Sequence, residues 1–343
     1  FQAEDGIRDA QESRGLGDVY KRQEPSKRTC RDPGISQVQL AEKSTWDPPS
    51  RRQLWMAALK PPMYSVAIIP IWVGSAIAYA QAGAMDVGVL AVFLGSAICL
   101  LAWVNLSNDV FDAQTGVDKN KLHSLVNLTG KPEQVFWVGN AFLALGLAGI
   151  LWLSWRQSDP TVLLLVLLAC GLGYAYQGPP LRLGYYGLGE LLCFLSFGPL
   201  AVLAAHYSQS QSWSLPGLAA SLVVGMVTSL ILFCSHFHQV EDDLAAGKRS
   251  PVARLGTLRS ARLIPWICGS LFGLTLLFVG LGAFPAWTLL SLAGIPFAVR
   301  LSRLLWAYHD QPQRISHSKF IAVNLHFWLG LFLGLGFILS RLG

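Results

Sequence analysis

Nine apolar segments, separated by short polar stretches, follow one another from about residue 60 to the end of the chain. They cover roughly residues 63–83, 87–110, 135–155, 160–177, 188–207, 216–236, 263–283, 286–306 and 320–340. Each segment has roughly 18–24 residues, the length with which a helix crosses a hydrocarbon core of about 30 Å. Only Phe284 and Pro285 separate the seventh and eighth segments. The pattern predicts an all-α polytopic membrane protein with nine transmembrane helices.

The composition agrees with a chain that lies mostly in lipid. Of its 343 residues, 52% are hydrophobic and only 13% are charged, whereas a soluble domain has about 25% charged residues. The six cysteines lack the spacing of a metal site, and five of them lie in apolar segments. We interpret them as buried hydrophobic residues rather than a disulfide framework. The expected partner is therefore the lipid bilayer, and no nucleic acid is expected.

The chain before the first apolar segment divides into two parts. Residues 1–23 have neither apolar periodicity nor targeting character and look like translated adapter sequence, so we treat them as non-native. Residues 24–59 are polar and become amphipathic from Trp46 to Leu59. This part predicts a polar tail and a short helix on the membrane surface. Residues 60–343 then form the nine-helix domain.

Basic residues are distributed unequally between the two sides that nine alternating segments define. From residue 51 onward, sixteen Lys and Arg residues fall on one side, and only Arg156 and Arg341 fall on the other. Basic residues accumulate in cytoplasmic loops. We therefore expect an integral membrane protein with its amino terminus on the cytoplasmic side, or on the stromal side in a plastid. The unusual acidic residues lie on the same side, which would be the active face.

An acidic cluster ends the second apolar segment, within the stretch Asn105 to His123. Asn108 and Asp112 are four residues apart and share a face of a continuing helix. Asp109 and Asp118 add two more carboxylates. Carboxylates at membrane depth are costly unless they face a partner or an ion, and a partly open set of oxygen ligands is typical of Mg²⁺ with diphosphate. The alternative is a set of solvated charges at a helix end.

A second acidic cluster, residues 241–243, follows the sixth segment, four segments after the first cluster. Gln239 and Asp243 repeat the four-residue spacing, which suggests two similar helical halves facing each other across a cavity. Lys248 and Arg249 follow closely and could bind the outer oxygens of a diphosphate. A surface patch of weak ion pairs is the alternative, but two clusters at matching depth are hard to explain by solvation alone.

A third stretch, Tyr174 to Glu190, lies between the two clusters. Its Gly-Pro-Pro sequence ends the fourth helix, and Arg182 projects from the turn on the basic side. We interpret Arg182 as a diphosphate contact and the tyrosines as a wall that stabilises a carbocation. A helix-ending loop with interfacial aromatic residues is the alternative. Glu190 must be paired or protonated if it is buried.

The two acidic clusters resemble the aspartate motifs of the UbiA-type intramembrane prenyltransferases. N-D-V-F-D-A-Q-T-G-V-D, beginning at Asn108, is similar to the first motif, and V-E-D-D-L-A-A-G-K-R-S, beginning at Val240, is similar to the second. N-L-S-N-D-V-F-D and F-C-S-H-F-H-Q-V-E-D-D are similar to the naphthoate branch of cyanobacteria and plastids. The resemblance covers about residues 55–341. It implies nine helices around a central cavity and two Mg²⁺ ions that bind a prenyl diphosphate.

The resemblance also implies roles for individual positions. The catalytic candidates, which would also be Mg²⁺ ligands, are Asn108, Asp112 and Asp243. The supporting residues of the metal site are Asp109, Asp118, Glu241 and Asp242. The candidates for substrate binding are Asn105, Lys119, His123, Tyr174, Arg182, Gln239, Lys248 and Arg249.

The chain departs from the family pattern at two places. Gln239 stands where many members have Asp; it can still coordinate through its carbonyl oxygen, and we interpret it as a mark of the subgroup. Ser235 and His236 replace a pair of asparagines expected before the second motif. His123, His236 and His238 could position the aromatic substrate or accept a phenolic proton, or they could be loop histidines satisfied by water.

The reaction implied by the resemblance is Mg²⁺-dependent transfer of a phytyl group from its diphosphate to 1,4-dihydroxy-2-naphthoate. Loss of CO₂ accompanies the transfer, which belongs to phylloquinone or menaquinone biosynthesis. No short motif reports the prenyl length or the oligomeric state, and homogentisate or chlorophyllide are alternative acceptors. An ion-coupled transporter is the alternative of another class, although transporter sites favour the bilayer midplane. A structural membrane subunit explains neither cluster.

Overall fold

The computed structural model describes residues 50, 52, 55, 56, 61–116 and 124–342. Within these ranges the chain is helical, and they contain no β-strand. The all-α prediction is therefore confirmed for the described residues. The segment 1–23 and most of the segment 24–59, with its expected surface helix, lie outside them.

Long helices, which we number α1 to α9 in chain order, account for most of these residues. Their bounds are α1 Ser65–Ala82, α2 Val87–Thr115, α3 Pro132–Gln157, α4 Thr161–Gln177, α5 Gly189–Ser210, α6 Leu215–His236, α7 Thr257–Gly280, α8 Ala286–Tyr308 and α9 Ser318–Leu342. The shorter helical segments are Pro61–Tyr64, Leu125–Thr129, Leu183–Tyr186, Val240–Ala245, Pro251–Leu255 and Pro312–Ile315. Each long helix coincides with one of the apolar segments to within several residues.

The number of membrane spans differs slightly from the prediction. In the part of the chain that the structure describes, eight helices are long and apolar enough to cross a membrane. The exception is α4, whose 17 residues extend about 26 Å at 1.5 Å per residue, slightly less than a core of about 30 Å. The predicted count of nine spans is therefore not confirmed. The chain does turn at Phe284 and Pro285, between α7 and α8, as the sequence predicts.

Helix α2 continues through the first acidic cluster. The sequence predicts that the apolar segment ends near residue 110, but the helix extends to Thr115. It ends at Gly116, whose φ of 78° is a left-handed conformation that glycine adopts without steric cost. Asn108 and Asp112 therefore lie on one continuous helix, one turn apart.

Helices α5 and α6 are antiparallel and approach each other closely at two glycines. A Cβ atom on Gly198 would lie 2.7 Å from the Cα atom of Gly225, so no side chain fits between the two backbones. Small residues at a helix interface allow such close packing within membranes. The contact holds the beginning of α5, which carries Glu190, next to the end of α6, which carries His236.

Helix α5 is not regular throughout. Its residues Ser196–Leu200 form a π-helical turn that contains Pro199. Proline has no N–H group to donate within a helix, and π-helical turns accommodate such interruptions. The irregular turn immediately follows the first two turns of α5 and includes Gly198, so it lies where α5 packs against α6.

Three polar segments meet at one end of the helix bundle. They are the end of α2, the turn between α4 and α5, and the segment after α6. The hydroxyl group of Tyr185, in the turn, donates to Oγ1 of Thr115 at 2.6 Å. The backbone carbonyl of Tyr185 accepts from the backbone N–H of Arg249 at 2.9 Å. Tyr185 thus connects the first acidic cluster to the second through the turn.

Candidate active site

Asp112 lies at the centre of the first half of the site. It is half-buried near the end of α2, and its Oδ1 atom accepts a hydrogen bond of 2.6 Å from Nε2 of Gln177. Asn108 and Asn105, one and two turns earlier on the same helix, are also half-buried. The structure therefore places three of the predicted residues on one stretch of α2 that faces the end of α4.

The sequence does not single out Gln177, although it belongs to the third polar stretch. Its side chain is 3% exposed, and its Oε1 atom has no hydrogen-bond partner among the described residues. Buried amide oxygens are normally hydrogen-bonded. Oε1 of Gln177 is therefore an additional oxygen that could bind a cation or a polar substrate group beside Asp112. Gln177 is an uncharged residue at the end of α4, and no motif in the sequence marks it as part of a site.

Asp109 has a different environment from Asp112. It is 3% exposed, and its Oδ2 atom accepts a 3.0 Å hydrogen bond from the backbone N–H of Leu125. Leu125 is the first residue of the short helix Leu125–Thr129, whose early N–H groups have no partner within the helix. Asp109 therefore caps this helix from α2, and the contact gives the carboxylate a structural role.

Asp243 is the central residue of the second half of the site. It lies in the short helix Val240–Ala245 after α6, and its side chain is fully buried. Neither carboxylate oxygen has a hydrogen-bond partner among the described residues. Nζ of Lys248 lies 3.5 Å from Oδ1. A buried carboxylate is strongly destabilising unless it is paired and hydrogen-bonded, so this side chain is suited to bind a metal ion.

The charges of both halves of the site act on Lys248. It is 5% exposed, and its Nζ atom lies 5.9 Å from the centroid of the Tyr176 ring. Burial lowers the pKa of the Lys248 ammonium group, but the surrounding groups outweigh this effect and raise the pKa above its usual value. Those groups are Tyr176, Asp243 and Asp112, in decreasing order of effect. Lys248 therefore stays protonated. It pairs with Asp243 of the second cluster, and the charge of Asp112 in the first cluster raises its pKa.

The turn between α4 and α5 supplies the second basic side chain. Arg182 has a left-handed backbone conformation with φ of 43°, and its Nε atom is buried without a hydrogen-bond partner among the described residues. Burial raises the pKa of the nearby Tyr185 hydroxyl, the bond with Thr115 opposes this effect, and Asp112 raises the pKa further. Lys248 and Arg182 lower the same pKa. The charges of Lys248, Arg182 and Asp112 therefore all act on the Tyr185 hydroxyl group.

Glu190 and His236 form a hydrogen-bonded pair beside this site. Oε1 of Glu190 lies 3.0 Å from Nδ1 of His236, so the expectation that a buried Glu190 must be paired or protonated is met by pairing. The other atom of each group, Oε2 and Nε2, has no hydrogen-bond partner among the described residues. Ser229 donates to the backbone carbonyl of Glu190 at 2.6 Å, which holds the start of α5 against α6.

The remaining predicted residues have other environments or lie outside the described residues. Tyr174 is 40% exposed, and its hydroxyl group donates to the carbonyl of Pro179, so it stabilises the turn, whereas Tyr176 contacts Lys248. Gln239 is half-buried, and its backbone carbonyl accepts from the N–H of Asp243. The exposed members of the second cluster are Glu241, Asp242 and Arg249. Asp118, Lys119 and His123 lie outside the described residues.

The donors of the site fit a divalent cation shared with a substrate. The described residues contain no group of three or more His, Cys, Asp or Glu side chains close enough to hold a metal ion alone. Mg²⁺ commonly takes only one or two protein carboxylates and completes its octahedron with water and phosphate oxygens. Asp112 on one side and the buried, unsatisfied Asp243 on the other match this mode, and Lys248 and Arg182 supply charge for a diphosphate.

The fold and this site define a class of membrane enzyme. The sequence profile described as the UbiA prenyltransferase family matches residues 67–336, which is most of the chain. The chain therefore belongs to the UbiA prenyltransferase family, and the resemblance of its two aspartate motifs is confirmed at the level of the family.

Individual relatives indicate a branch of this family. The chain is 54% identical to 2-carboxy-1,4-naphthoquinone phytyltransferase of Synechocystis sp. over 295 residues, which cover 86% of this chain and 96% of that protein. It is 41% identical to the chloroplastic 2-carboxy-1,4-naphthoquinone phytyltransferase of Arabidopsis thaliana over 301 residues, 85% of this chain and 78% of the relative.

Solved structures of the same family share the fold. A UbiA homologue from Archaeoglobus fulgidus superimposes with a TM-score of 0.55 at 17% identity, covering 83% of this chain and 99% of that one. The same homologue bound to GPP and Mg²⁺ gives a TM-score of 0.54 at 19% identity, with 82% and 99% coverage. At this identity the likeness establishes the helical fold.

Proposed function

We propose that this protein transfers a phytyl group from phytyl diphosphate to 1,4-dihydroxy-2-naphthoate with loss of CO₂. The observation that carries the proposal is the buried Asp243 carboxylate, which has no hydrogen-bond partner among the described residues and lies beside a lysine whose pKa the charge of Asp112 also raises. Such an arrangement suits a divalent cation and an anionic leaving group. The choice of donor and acceptor is supported by the two phytyltransferases that share 54% and 41% identity with the chain.

The proposed metal ligands are Asn108 and Asp112 from α2 and Asp243 from the segment after α6. When bound there, Mg²⁺ would neutralise the diphosphate and make it a better leaving group. Asp109 caps a helix, and Glu241 and Asp242 are exposed, so we propose no direct metal contact for these three. The proposed metal site therefore uses fewer side chains than the two motifs contain.

Lys248 and Arg182 are the proposed diphosphate ligands. As the allylic C–O bond breaks, both bonding electrons move to the diphosphate oxygen, and fixed positive charges stabilise the negative charge that develops. Lys248 is preorganised for this role because it is buried and its pKa is raised, so it remains a cation. Arg182 has an unpartnered Nε–H group with which to donate.

The apolar surroundings protect the allylic cation. Water would capture it, and an enclosed site excludes this side reaction. The ring of Tyr176 lies next to Lys248 and presents an aromatic face, which stabilises a nearby cation by about 0.5–2 kcal/mol. We propose Tyr176, rather than Tyr174, as the aromatic wall closest to the reacting centre.

The reaction at the acceptor needs no base from the protein. A π-electron pair of the naphthoate ring forms the new C–C bond at the carboxyl-bearing carbon. The bond to the carboxylate then breaks, its electron pair restores the aromatic ring, and CO₂ leaves. No proton is removed from the acceptor during this exchange, so nearby histidines are not required as general bases.

The protein is an integral membrane protein by its apolar helices. We propose that the end of the bundle that carries Asp112 and Asp243 faces the cytoplasm or stroma, together with the amino terminus. The unequal distribution of Lys and Arg supports this orientation. It places the charged diphosphate near the aqueous side of the bundle and the long prenyl tail among the helices.

A donor and acceptor panel tests the proposed function. Protein solubilised in detergent is incubated with Mg²⁺, with phytyl, geranylgeranyl or solanesyl diphosphate, and with 1,4-dihydroxy-2-naphthoate, homogentisate or chlorophyllide. Mass spectrometry of the products should show the phytylated naphthoquinol without its carboxyl group. A product that retains the carboxyl group, or turnover only with another acceptor, would contradict the proposal. Ion transport in liposomes without any prenyl transfer would favour the transporter alternative.

A further inference from the structure

The Glu190–His236 pair contains two polar atoms that the fold leaves unsatisfied. The side chain of His236 is 3% exposed and that of Glu190 is 18% exposed. Nδ1 of His236 and Oε1 of Glu190 interact at 3.0 Å, whereas Nε2 and Oε2 have no hydrogen-bond partner among the described residues. Buried polar atoms are almost always hydrogen-bonded in native proteins. The two atoms are therefore suited to bind a polar group of a substrate.

The pair lies next to the proposed diphosphate site. A Cβ atom on Gly189, the residue before Glu190, would lie 2.7 Å from Cε2 of Tyr176, so the Tyr176 ring packs directly on the start of α5. Nζ of Lys248 lies 5.9 Å from the centroid of the same ring. One aromatic side chain thus adjoins both the helix start that carries Glu190 and the lysine that would bind the leaving group.

The contact with Glu190 determines which nitrogen of His236 is available to a substrate. In a neutral imidazole one ring nitrogen is a donor and the other is an acceptor. Because Nδ1 faces a carboxylate oxygen, the Nδ1–H tautomer is favoured. Nε2 then carries a lone pair and accepts a hydrogen bond from a hydroxyl group.

The naphthoate acceptor offers one hydroxyl group that matches this atom. Its 1-hydroxyl is adjacent to the 2-carboxylate and donates to it within the molecule. Its 4-hydroxyl lies across the ring and has no internal partner. We propose that His236, oriented by Glu190, is a positioning residue that accepts a hydrogen bond from the 4-hydroxyl of the acceptor. This assignment rests on the proposed function and names the acceptor subsite of the same active site.

The subsite would hold the acceptor ring beside Tyr176 without removing a proton, because the proposed reaction at the acceptor releases CO₂ and no proton.

Asparagine is a suitable replacement for His236 in a test of this subsite. In His236→Asn the Nδ2–H₂ group occupies roughly the position of Nδ1 and keeps the bond to Glu190, but no atom replaces Nε2. His236→Gln reaches the position of Nε2 with an amide that can accept a hydrogen bond.

The experiment compares two acceptors, 1,4-dihydroxy-2-naphthoate and 1-hydroxy-2-naphthoate, which lacks the 4-hydroxyl. The ratio of their kcat/KM values is measured for the unaltered protein and for the variants, so that the electronic effect of the missing hydroxyl cancels. We expect His236→Asn to lower this ratio about tenfold, the effect of one hydrogen bond. His236→Gln should keep most of the ratio, and the KM for phytyl diphosphate should not change.

His309→Asn is the matched control, because it makes the same substitution at a histidine whose Nδ1 is hydrogen-bonded to Thr257, outside the proposed site. It should keep the ratio of the unaltered protein. An equal loss of activity on both acceptors in His236→Asn would overturn the assignment, as would an equal change of the ratio in His309→Asn. If the unaltered protein does not use 1,4-dihydroxy-2-naphthoate at all, the proposed function fails, and this assignment fails with it.

Discussion

Asp109 and Asp112 show how one short motif carries two kinds of carboxylate. They are three residues apart on α2, and both belong to the first acidic cluster. Asp109 is buried and caps the helix that begins at Leu125, whereas Asp112 is half-buried and bonded to Gln177. The sequence alone treats both as candidates for the metal site. The difference arises from the position of a short helix that begins thirteen residues after Asp112.

Substitution of these two residues should separate stability from activity. Asp109→Ala removes a charged acceptor from a buried N–H group and should lower the free energy of unfolding by about 1–3 kcal/mol, with substantial activity at low temperature. Asp112→Asn removes the charge of a proposed metal ligand but keeps an oxygen that can accept from Gln177, so it should lower turnover by about 100-fold or more with little change in the unfolding midpoint. Denaturation in mixed detergent and initial rates at saturating Mg²⁺ measure the two effects. The opposite pattern would reverse the roles assigned here.

For individual residues, the sequence identifies charged members of the site better than neutral ones. Only eleven acidic residues occur from residue 51 onward, so Asp112 and Asp243 stand out against an apolar background. Lys248 stands out for the same reason. Gln177 carries no charge, and its importance depends on burial against α2, which no local pattern reports. Burial also separates Asp243 from its exposed neighbour Asp242, although both appear in the same acidic run.

The helices themselves follow closely from the pattern of apolar residues. All nine predicted segments coincide with long helices because a chain in lipid must satisfy its backbone hydrogen bonds internally. The boundaries differ where polar residues continue a helix: α2 extends to Thr115, and α7 begins at Thr257 rather than near residue 263. The approach of α5 to α6 could not be predicted, because a glycine in an apolar segment does not reveal which helix it faces.

This close approach predicts a strong effect at Gly198. Gly198→Leu places a side chain where a Cβ atom already lies 2.7 Å from Gly225, so α5 and α6 must separate, at a typical cost of about 1–3 kcal/mol. Separation would also move Glu190 away from His236, so activity should fall together with thermal stability. Gly95→Leu on α2 is the matched control, since a Cβ atom on Gly95 has no neighbour within 4 Å.

Thermal unfolding monitored by size-exclusion chromatography compares these two variants. Gly95→Leu should retain the unfolding midpoint and activity of the unaltered protein because its new side chain enters open space. Equal stability of both variants would mean that the α5–α6 contact tolerates a larger separation than the structure indicates.

At the scale of the whole molecule, the important feature is the meeting of two acidic clusters that are far apart in sequence. The repeat of their spacing suggests a shared cavity, but it does not show how they are held together. In the structure, Tyr185 binds Thr115 at the end of α2 and the backbone of Arg249 after α6. Lys248 pairs with Asp243, and the charge of Asp112 also raises its pKa. These contacts involve a turn between α4 and α5 whose conformation the sequence does not specify.

The central claim is that Asp112 and Asp243 belong to one Mg²⁺-dependent site, and the rate of prenyl transfer as a function of Mg²⁺ concentration tests it most directly. Asp112→Asn and Asp243→Asn should each lower the rate by about 100-fold or more while the variants remain folded. Asp242→Asn, which alters the exposed neighbour of Asp243, should leave the rate and its Mg²⁺ dependence nearly unchanged. A rate for Asp243→Asn equal to that of the unaltered protein, or an equal loss in Asp242→Asn, would contradict the claim.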